Sequence, residues 1–210
     1  MHPSAIAELL TSYTVGLELP TGIYDQLSAY LDLLLRWNAK TNLTAIRDPE
    51  QIVTRHFGES LFAAKVLFGD RPPGPGTTLA DLGSGAGFPG IPIKLAFPEL
   101  QVTLIESQNK KATFLKEVIR GLRIEGIEVH NGRAEQWGKQ ADVVTLRAVE
   151  RFESAMSTAT YLLSPNGELC LLISVSQRKS LESVVATFRT RVEKATPKMH
   201  DSLVVVGNIS

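Results

Sequence analysis

The chain has little cysteine and no excess of charge of either sign. Its 210 residues include one cysteine, Cys170, and 22 Lys and Arg against 22 Asp and Glu. A single cysteine cannot form an intrachain disulfide, which favours a reducing compartment, and we expect a cytoplasmic protein. A net charge of zero gives the chain no general attraction for nucleic acid. Any contact with RNA must therefore come from local basic patches.

The sequence also lacks long apolar runs and spaced metal ligands. No window approaches the roughly 18 apolar residues that a membrane span needs, and the first residues show no basic segment followed by an apolar core. We therefore expect neither export nor insertion into a membrane. His2, His130 and His200 have no partners at metal-ligand spacing, so we expect no metal. Nothing in the sequence suggests an obligate assembly, and we expect a monomer.

Apolar spacing divides the chain into a helical first third and an alternating remainder. From residue 3 to about residue 68, apolar residues recur at steps of three and four, as they do from Ile23 to Leu35, which predicts helices. Three prolines and three glycines between Gly69 and Thr78 cannot continue a helix or a central strand. We predict a helical extension over residues 1–68, a linker over 69–78 and a cofactor-binding domain over 79–210.

The remainder alternates short strand-like runs with helical segments. This alternation predicts an α/β fold, a Rossmann-like doubly wound sheet that is mostly parallel and carries helices on both faces. A last helix is expected near residues 180–188. No crossover helix fits between the final two strands, near residues 191–198 and 202–209. These strands should therefore pair antiparallel at the edge of the sheet.

A glycine-rich stretch, LADLGSGAGFPGIP over residues 79–92, joins a predicted strand to a predicted helix. Such a turn presents free backbone N–H groups and the positive end of the helix dipole at the carboxyl edge of the sheet. Two ligand patterns fit. The pattern G-x-G-x-x-G, which begins at Gly85, suggests a dinucleotide. The pattern D-x-G-x-G-x-G, which suggests S-adenosylmethionine, is formed by Asp81, Gly83, Gly85 and Gly87.

Glu106 ends the next predicted strand, roughly 20 residues after the loop. A carboxylate there would hold the ribose hydroxyls of either ligand, so it indicates a nucleoside without choosing between them. No tyrosine has a lysine four positions later, as short-chain dehydrogenases require, and there is no room for a separate substrate domain. These observations favour S-adenosylmethionine, with a nicotinamide-dependent oxidoreductase as the alternative.

Five segments together resemble one methyltransferase family. They are DLGSGAGFPGIP, LLLRWNAKTNLTAI, RHFGESL, IESQNKKATFLKEV and GRAEQW, and they fall within residues 30–150. The chain is similar there to the ribosomal RNA small subunit methyltransferase G family, also called the glucose-inhibited division protein B family. The resemblance implies a class I S-adenosylmethionine-dependent fold and methyl transfer to N7 of a guanine in 16S ribosomal RNA. A methyltransferase acting on a protein or small molecule, and a ribosome-binding module without catalysis, stay open as alternatives.

The glycine pattern and the resemblance together imply a set of site residues. The cofactor contacts would be Asp81, Gly83, Gly85, Gly87, Phe88, Glu106, Ala134, Glu135 and Arg147. By resemblance, Glu106 would hold the ribose, and Ala134 and Glu135 would flank the adenine. Arg147 is also our candidate catalytic residue, since a guanidinium at a strand end can donate to guanine O6 or to a phosphate. An ordinary salt bridge is the other interpretation of Arg147.

The candidate RNA contacts are four residues in two segments. Arg55 and His56 would face the RNA or the mouth of the site; a helix pair of Arg55 with Glu59 and a packing role for His56 are the alternatives. Lys110 and Lys111 open a stretch, residues 107–123, with five cations and one glutamate. This stretch predicts a phosphate-binding rim or, alternatively, a solvated helix face. The chain departs from the family pattern at Glu59, where the family usually has Asp, and by lacking a Lys-Gly pair after the fifth strand and a basic last strand.

Overall fold

The computed structural model describes residues 1–147, 152–178, 188–197 and 199–209. A π-helical turn over Val53–Gly58 follows the third helix, and a 3-10 turn over Ala134–Gln136 follows the third strand. The elements in chain order are α1 (Pro3–Thr14), α2 (Ile23–Asn38), α3 (Pro49–Ile52), α4 (Glu59–Phe68), β1 (Thr78–Leu82), α5 (Gly90–Ala96), β2 (Gln101–Glu106), α6 (Asn109–Leu122), β3 (Ile127–Asn131), β4 (Ala141–Arg147), α7 (Phe152–Leu162), β5 (Leu163–Ser174), β6 (Phe188–Thr196) and β7 (Met199–Ile209).

The first four helices follow from local sequence signals. In α2 the apolar stripe is buried, and each fully buried leucine contributes roughly 1.5–3 kcal/mol. The helical stretch over residues 49–68 begins at an N-terminal cap, Asp48. The Asp48 Oδ1 accepts a hydrogen bond from the Gln51 amide at 2.8 Å, and Pro49 takes the first helical position. The centre of this helix has π-helical geometry, which the apolar spacing does not predict.

The strands form one seven-stranded sheet in the order β3-β2-β1-β4-β5-β7-β6. The pairings among β1 to β5 are parallel, and β7 pairs antiparallel with both β5 and β6. The predicted α/β class and the antiparallel pair at the sheet edge are therefore confirmed. Most of the helix predicted at residues 180–188 lies outside the described residues. Among the described helices, none is long and apolar enough to cross a bilayer.

Successive side chains along a strand point to opposite faces of the sheet, and they contribute to two separate apolar layers. Leu79 and Val143 belong to the larger layer, which also contains the buried side chains of α1, α2, α4, α5 and α6. Ala80 and Val144 belong to the smaller layer, which contains α7. Helices that precede the sheet thus share a core with it. The division at residues 68 and 78 stays a prediction.

Candidate active site

The turn after β1 is held by backbone hydrogen bonds to the neighbouring strand β2. The amides of Gly83 and Ser84 donate to the Ile105 carbonyl at 2.9 and 3.1 Å, and the Gly87 amide donates to the Ser84 carbonyl at 2.7 Å. Gly83, Gly85 and Gly87 have φ angles of +69°, +58° and +90°. Residues with side chains rarely adopt this left-handed region, so the local backbone geometry favours glycine at all three positions.

The glycines of this turn face two different environments. A Cβ on Gly83 would meet no atom within 4 Å, and one on Gly85 would meet only the Gly83 carbonyl, at 3.8 Å. A Cβ on Gly87 would instead overlap the Tyr30 hydroxyl and lie 2.6 Å from Ile91 Cδ1. Gly83 and Gly85 therefore expose bare backbone that a nucleoside can approach, which fits the predicted ligand, whereas the α-carbon of Gly87 packs against the protein.

Glu106 ties the end of β2 to the glycine turn. Its side chain is buried; Oε2 accepts from the Gly85 amide at 2.9 Å, and Oε1 accepts from the Gln108 amide at 2.7 Å. Each carboxylate oxygen has a second lone pair, so these bonds leave acceptor capacity for hydroxyl groups. Its predicted contact with a ribose stays a prediction.

Asp81 links β1 to β4 and to the start of α5. Its Oδ1 accepts from the Thr145 hydroxyl at 2.7 Å, and its Oδ2 accepts from the Gly90 amide at 3.2 Å. Burial raises the pKa of Asp81 to about 6, although these hydrogen bonds oppose the rise. Both carboxylate oxygens are engaged inside the protein, so a direct contact between Asp81 and a cofactor stays a prediction.

Arg147, at the end of β4, forms a buried ion pair. Its Nη2 donates to Glu59 Oε2 at 2.8 Å and to the Arg55 carbonyl at 2.7 Å. The two charged side chains are 13% and 5% exposed. Burial raises the pKa of Glu59, and the guanidinium of Arg147 partly offsets the rise. The salt bridge that the sequence allowed for Arg147 is therefore present. A catalytic role for Arg147 stays a prediction.

A serine completes the surroundings of Glu59. Ser202 of β7 donates a side-chain hydrogen bond to the Glu59 carboxylate, and its register partner on β5 is Ser174. Ser174 ends β5, and it is after this strand that the chain lacks the Lys-Gly pair of the family it resembles. The Glu59 carboxylate therefore lies near two guanidinium groups, those of Arg147 and Arg55, and one hydroxyl, that of Ser202.

The π-helical turn places Arg55 and His56 beside these groups. π-helical turns are rare and occur often at functional sites. Here the turn directs the Arg55 carbonyl at Arg147 and stacks the His56 ring on Phe88, with ring centroids 4.7 Å apart. Gly58 ends the turn, and a Cβ at this position would lie only 3.0 Å from the ring of Tyr13.

His56 is a neutral, packed histidine in this arrangement. Its Nε2 is 2.8 Å from the Thr44 hydroxyl, and its Nδ1 is buried with no partner among the residues that the structure describes. Burial, together with the positive charges of Arg147 and Arg55, lowers the pKa of His56 to about 2. The uncharged ring of His56 packs on Phe88, as a buried aromatic ring does. Contact between His56 and RNA stays a prediction.

The remaining predicted residues follow the ends of β2 and β3. Asn131 pairs with Glu106 in the sheet register, and the 3-10 turn that follows contains Ala134, which is buried, and Glu135, which accepts from the Thr158 hydroxyl at 3.3 Å. In the first turn of α6, Lys110 is exposed and Lys111 is half-buried. Because the strands are parallel, these residues share the carboxyl edge of the sheet with the glycine turn. Within the described part of the chain, no cluster of metal-ligating side chains occurs.

Comparisons with known proteins match this sequence to one family. The family model described as "rRNA small subunit methyltransferase G" matches residues 23–204. The chain belongs to this family. A relative of that name from Xylella fastidiosa is 37% identical over 98% of this chain and 96% of its own length. Another, from an Exiguobacterium strain, is 45% identical over 72% of this chain, and the match spans 63% of that relative. The resemblance inferred from the sequence is confirmed.

A solved structure supports the same fold. Magnesium protoporphyrin IX methyltransferase from Synechocystis, solved with bound S-adenosylmethionine, superposes with a TM-score of 0.65 at 15% identity and covers 86% of this chain and 97% of its own. At this identity the likeness concerns the fold alone. The sheet topology and this likeness give the chain a class I methyltransferase fold, and membership of the rRNA small subunit methyltransferase G family makes it a methyltransferase.

Sequence reasoning missed two features of the site in this member of the rRNA small subunit methyltransferase G family. Tyr30 belongs to the apolar stripe predicted for α2, yet its hydroxyl donates to the Ala86 carbonyl in the glycine turn. A tyrosine within a stripe of leucines is itself a signal, because a buried hydroxyl needs a hydrogen-bond partner. The pairing of Glu59 with Arg147 was also missed, since nothing in the spacing of residues 88 positions apart predicts contact.

Proposed function

We propose that this chain transfers a methyl group from S-adenosylmethionine to N7 of a guanine in 16S ribosomal RNA, within the small ribosomal subunit or its precursor. The observation that carries the proposal is a juxtaposition at the centre of the sheet. The exposed backbone of Gly83 and Gly85 follows β1, and the ion pair of Arg147 with Glu59 follows β4, the strand hydrogen-bonded to β1. A donor site and a charged group for the acceptor base therefore lie at adjacent strand ends.

Six of the predicted cofactor residues have a direct role in this proposal. Gly83 and Gly85 let the nucleoside approach the backbone, and Glu106 accepts hydrogen bonds from its ribose. Phe88 lines the site, and Ala134 with Glu135 flank the adenine. Family membership supports these roles, as does the convergence of the residues at one sheet edge. We further propose that the enzyme acts as a cytoplasmic monomer without a metal.

The chemistry requires alignment rather than proton transfer. S-adenosylmethionine supplies an electrophilic methyl group on a sulfonium. The N7 lone pair forms the new C–N bond while the electron pair of the S–C bond returns to sulfur, and the positive charge passes to the purine. No proton leaves N7, so a general base is unnecessary. This agrees with a site whose histidine is neutral and packed and whose carboxylate is paired.

Arg147 is the residue that we propose orients the guanine. Its guanidinium can donate to O6 next to N7, a pairing that also identifies guanine among the bases. Arg55, His56, Lys110 and Lys111 would contact the RNA around the cleft. Because the net charge is zero, we expect weak binding to naked RNA and dependence on the shape of a partly assembled subunit.

The test is methyl transfer from radiolabelled S-adenosylmethionine to small subunits that lack the modification. We expect label in 16S RNA that ribonuclease releases, and strand cleavage after borohydride and aniline treatment at one guanine, which is diagnostic of N7 methylation. A Gly83→Val variant serves as the control without a donor site. Label that survives ribonuclease would favour a protein or small-molecule acceptor, and no transfer to any guanine would refute the proposal.

A further inference from the structure

Tyr30 connects the N-terminal helices to the glycine turn. Its side chain is fully buried in α2, and its hydroxyl donates a hydrogen bond to the Ala86 carbonyl, 56 residues away in the chain. Its ring stacks on Phe88 with centroids 5.5 Å apart and an interplanar angle of 18°, and it lies 5.2 Å from the ring of Phe57. One residue of α2 thus contacts both the backbone and a side chain of the turn.

The hydroxyl of Tyr30 is more than a packing group. Its neighbours on the buried face of α2 are apolar, and a buried hydroxyl lowers stability unless it is hydrogen-bonded. Burial holds the pKa of Tyr30 well above its ordinary value, so the hydroxyl keeps its proton and acts as a donor at all physiological pH values. Its acceptor, the Ala86 carbonyl, belongs to the peptide that leads into Gly87.

Gly87 and Tyr30 are complementary in shape. A Cβ on Gly87 would overlap the Tyr30 hydroxyl, so the absence of a side chain at this position is what admits the hydrogen bond. The φ of +90° at Gly87 turns the chain toward Phe88, whose ring then stacks between Tyr30 and His56. The shape of the turn between residues 86 and 88 therefore depends on a residue outside the sheet.

We propose that Tyr30 is a positioning residue for the cofactor, and that α2 is by this contact a part of the cofactor site. Tyr30 acts through the Ala86 carbonyl and the Phe88 ring, which it holds where the nucleoside meets the turn. The inference rests on the glycine turn being the cofactor site, as proposed above, and is independent of the RNA acceptor.

The test compares two Tyr→Phe variants by titration with S-adenosylhomocysteine and by thermal unfolding. Tyr30→Phe removes one hydroxyl and keeps the ring. The matched control is Tyr13→Phe, because Tyr13 is equally buried but its hydroxyl has no partner within the described ranges. We expect Tyr30→Phe to bind about tenfold more weakly, the scale of one lost hydrogen bond. Tyr13→Phe should bind as the parent does.

The outcomes separate this inference from the assignment of the site. If the parent fails to bind S-adenosylhomocysteine, the cofactor site itself is wrong. If the parent binds and Tyr30→Phe melts at a lower temperature with an unchanged dissociation constant, Tyr30 is structural and the inference is overturned. Should Tyr30→Phe not fold, hydrogen exchange of the parent decides. Ligand-induced protection of both residues 83–88 and residues 27–34 supports the inference, and protection of the turn alone contradicts it.

Discussion

Glu59 and Arg147 are separated by 88 residues in the chain and meet at 2.8 Å. Glu59 begins the last helix before the sheet, and Arg147 ends the strand beside β1. Because both side chains are nearly inaccessible, each charge depends on the other for its solvation. The contact joins α4 to the carboxyl edge of the sheet, at the place where the acceptor base is proposed to bind.

We expect Glu59→Ala to lower the free energy of unfolding by about 3 kcal/mol, because it leaves the buried guanidinium of Arg147 unpaired. Glu128 provides a control, since it is 64% exposed in its 3.8 Å ion pair with Lys139. Glu128→Ala should change the free energy of unfolding by about 1 kcal/mol or less. Urea denaturation measures both. Equal losses in the two variants would show that the Glu59 pair contributes no more than a surface pair.

Asp81 should make the protein less stable as the pH rises. Burial raises its pKa in the folded state to about 6, while the unfolded chain keeps the ordinary value of 3.8. The folded state therefore binds more protons between these values, and stability falls as pH rises from about 4 to about 6, by roughly 3 kcal/mol at most. Urea denaturation of the parent and of Asp81→Asn across this range isolates the contribution. A parent that gained stability relative to Asp81→Asn with rising pH would contradict the assignment.

His56 should act in the opposite direction. Its pKa falls to about 2 in the folded protein, against 6.5 in the unfolded chain, so below pH 6.5 the unfolded state binds the extra proton. Stability is then lost as pH falls, by about 1.4 kcal/mol for each pH unit at most. His56→Gln should lose less stability than the parent between pH 7 and pH 5. Parallel curves for the two proteins would mean that His56 is accessible to protons in the folded state.

Gly83 should matter for binding beyond its backbone conformation. Gly83→Ala costs roughly 1–2 kcal/mol of strain, because φ is +69°, and it also fills the space where the nucleoside approaches. Gly16 is a matched control: its φ is +74°, its Cβ would also meet nothing within 4 Å, and it lies in the turn after α1. Both variants should lose similar stability. In calorimetric titration only Gly83→Ala should lose affinity for S-adenosylhomocysteine, by tenfold or more. Equal affinities of the Gly83→Ala and Gly16→Ala variants would mean that the ligand binds elsewhere.

The sequence predicts the sheet well because local chemistry determines it. Buried parallel strands read as short apolar runs, and glycines with positive φ, such as Gly83, mark the turn between a strand and a helix. The contacts of Tyr30 with Ala86 and of Glu59 with Arg147 could not be predicted in this way. They join segments 56 and 88 residues apart, and only the packing of helices on the sheet brings them together. The π-helical turn that carries His56 has no distinctive sequence pattern either.

Lys110 and Lys111 should act on RNA binding and leave the cofactor step unchanged. We expect the double variant Lys110→Gln with Lys111→Gln to raise the KM for small subunits. The slope of log affinity against log salt concentration should fall by about one for each phosphate that is no longer neutralised. Its affinity for S-adenosylhomocysteine should match that of the parent. Lys139→Gln is the control, because Lys139 is exposed and precedes β4, far along the strand from its carboxyl end. Binding is measured at several salt concentrations. An unchanged dependence of log affinity on log salt in the double variant would mean that these lysines form only a solvated helix face. An equal loss of affinity in Lys139→Gln would show a general effect of charge.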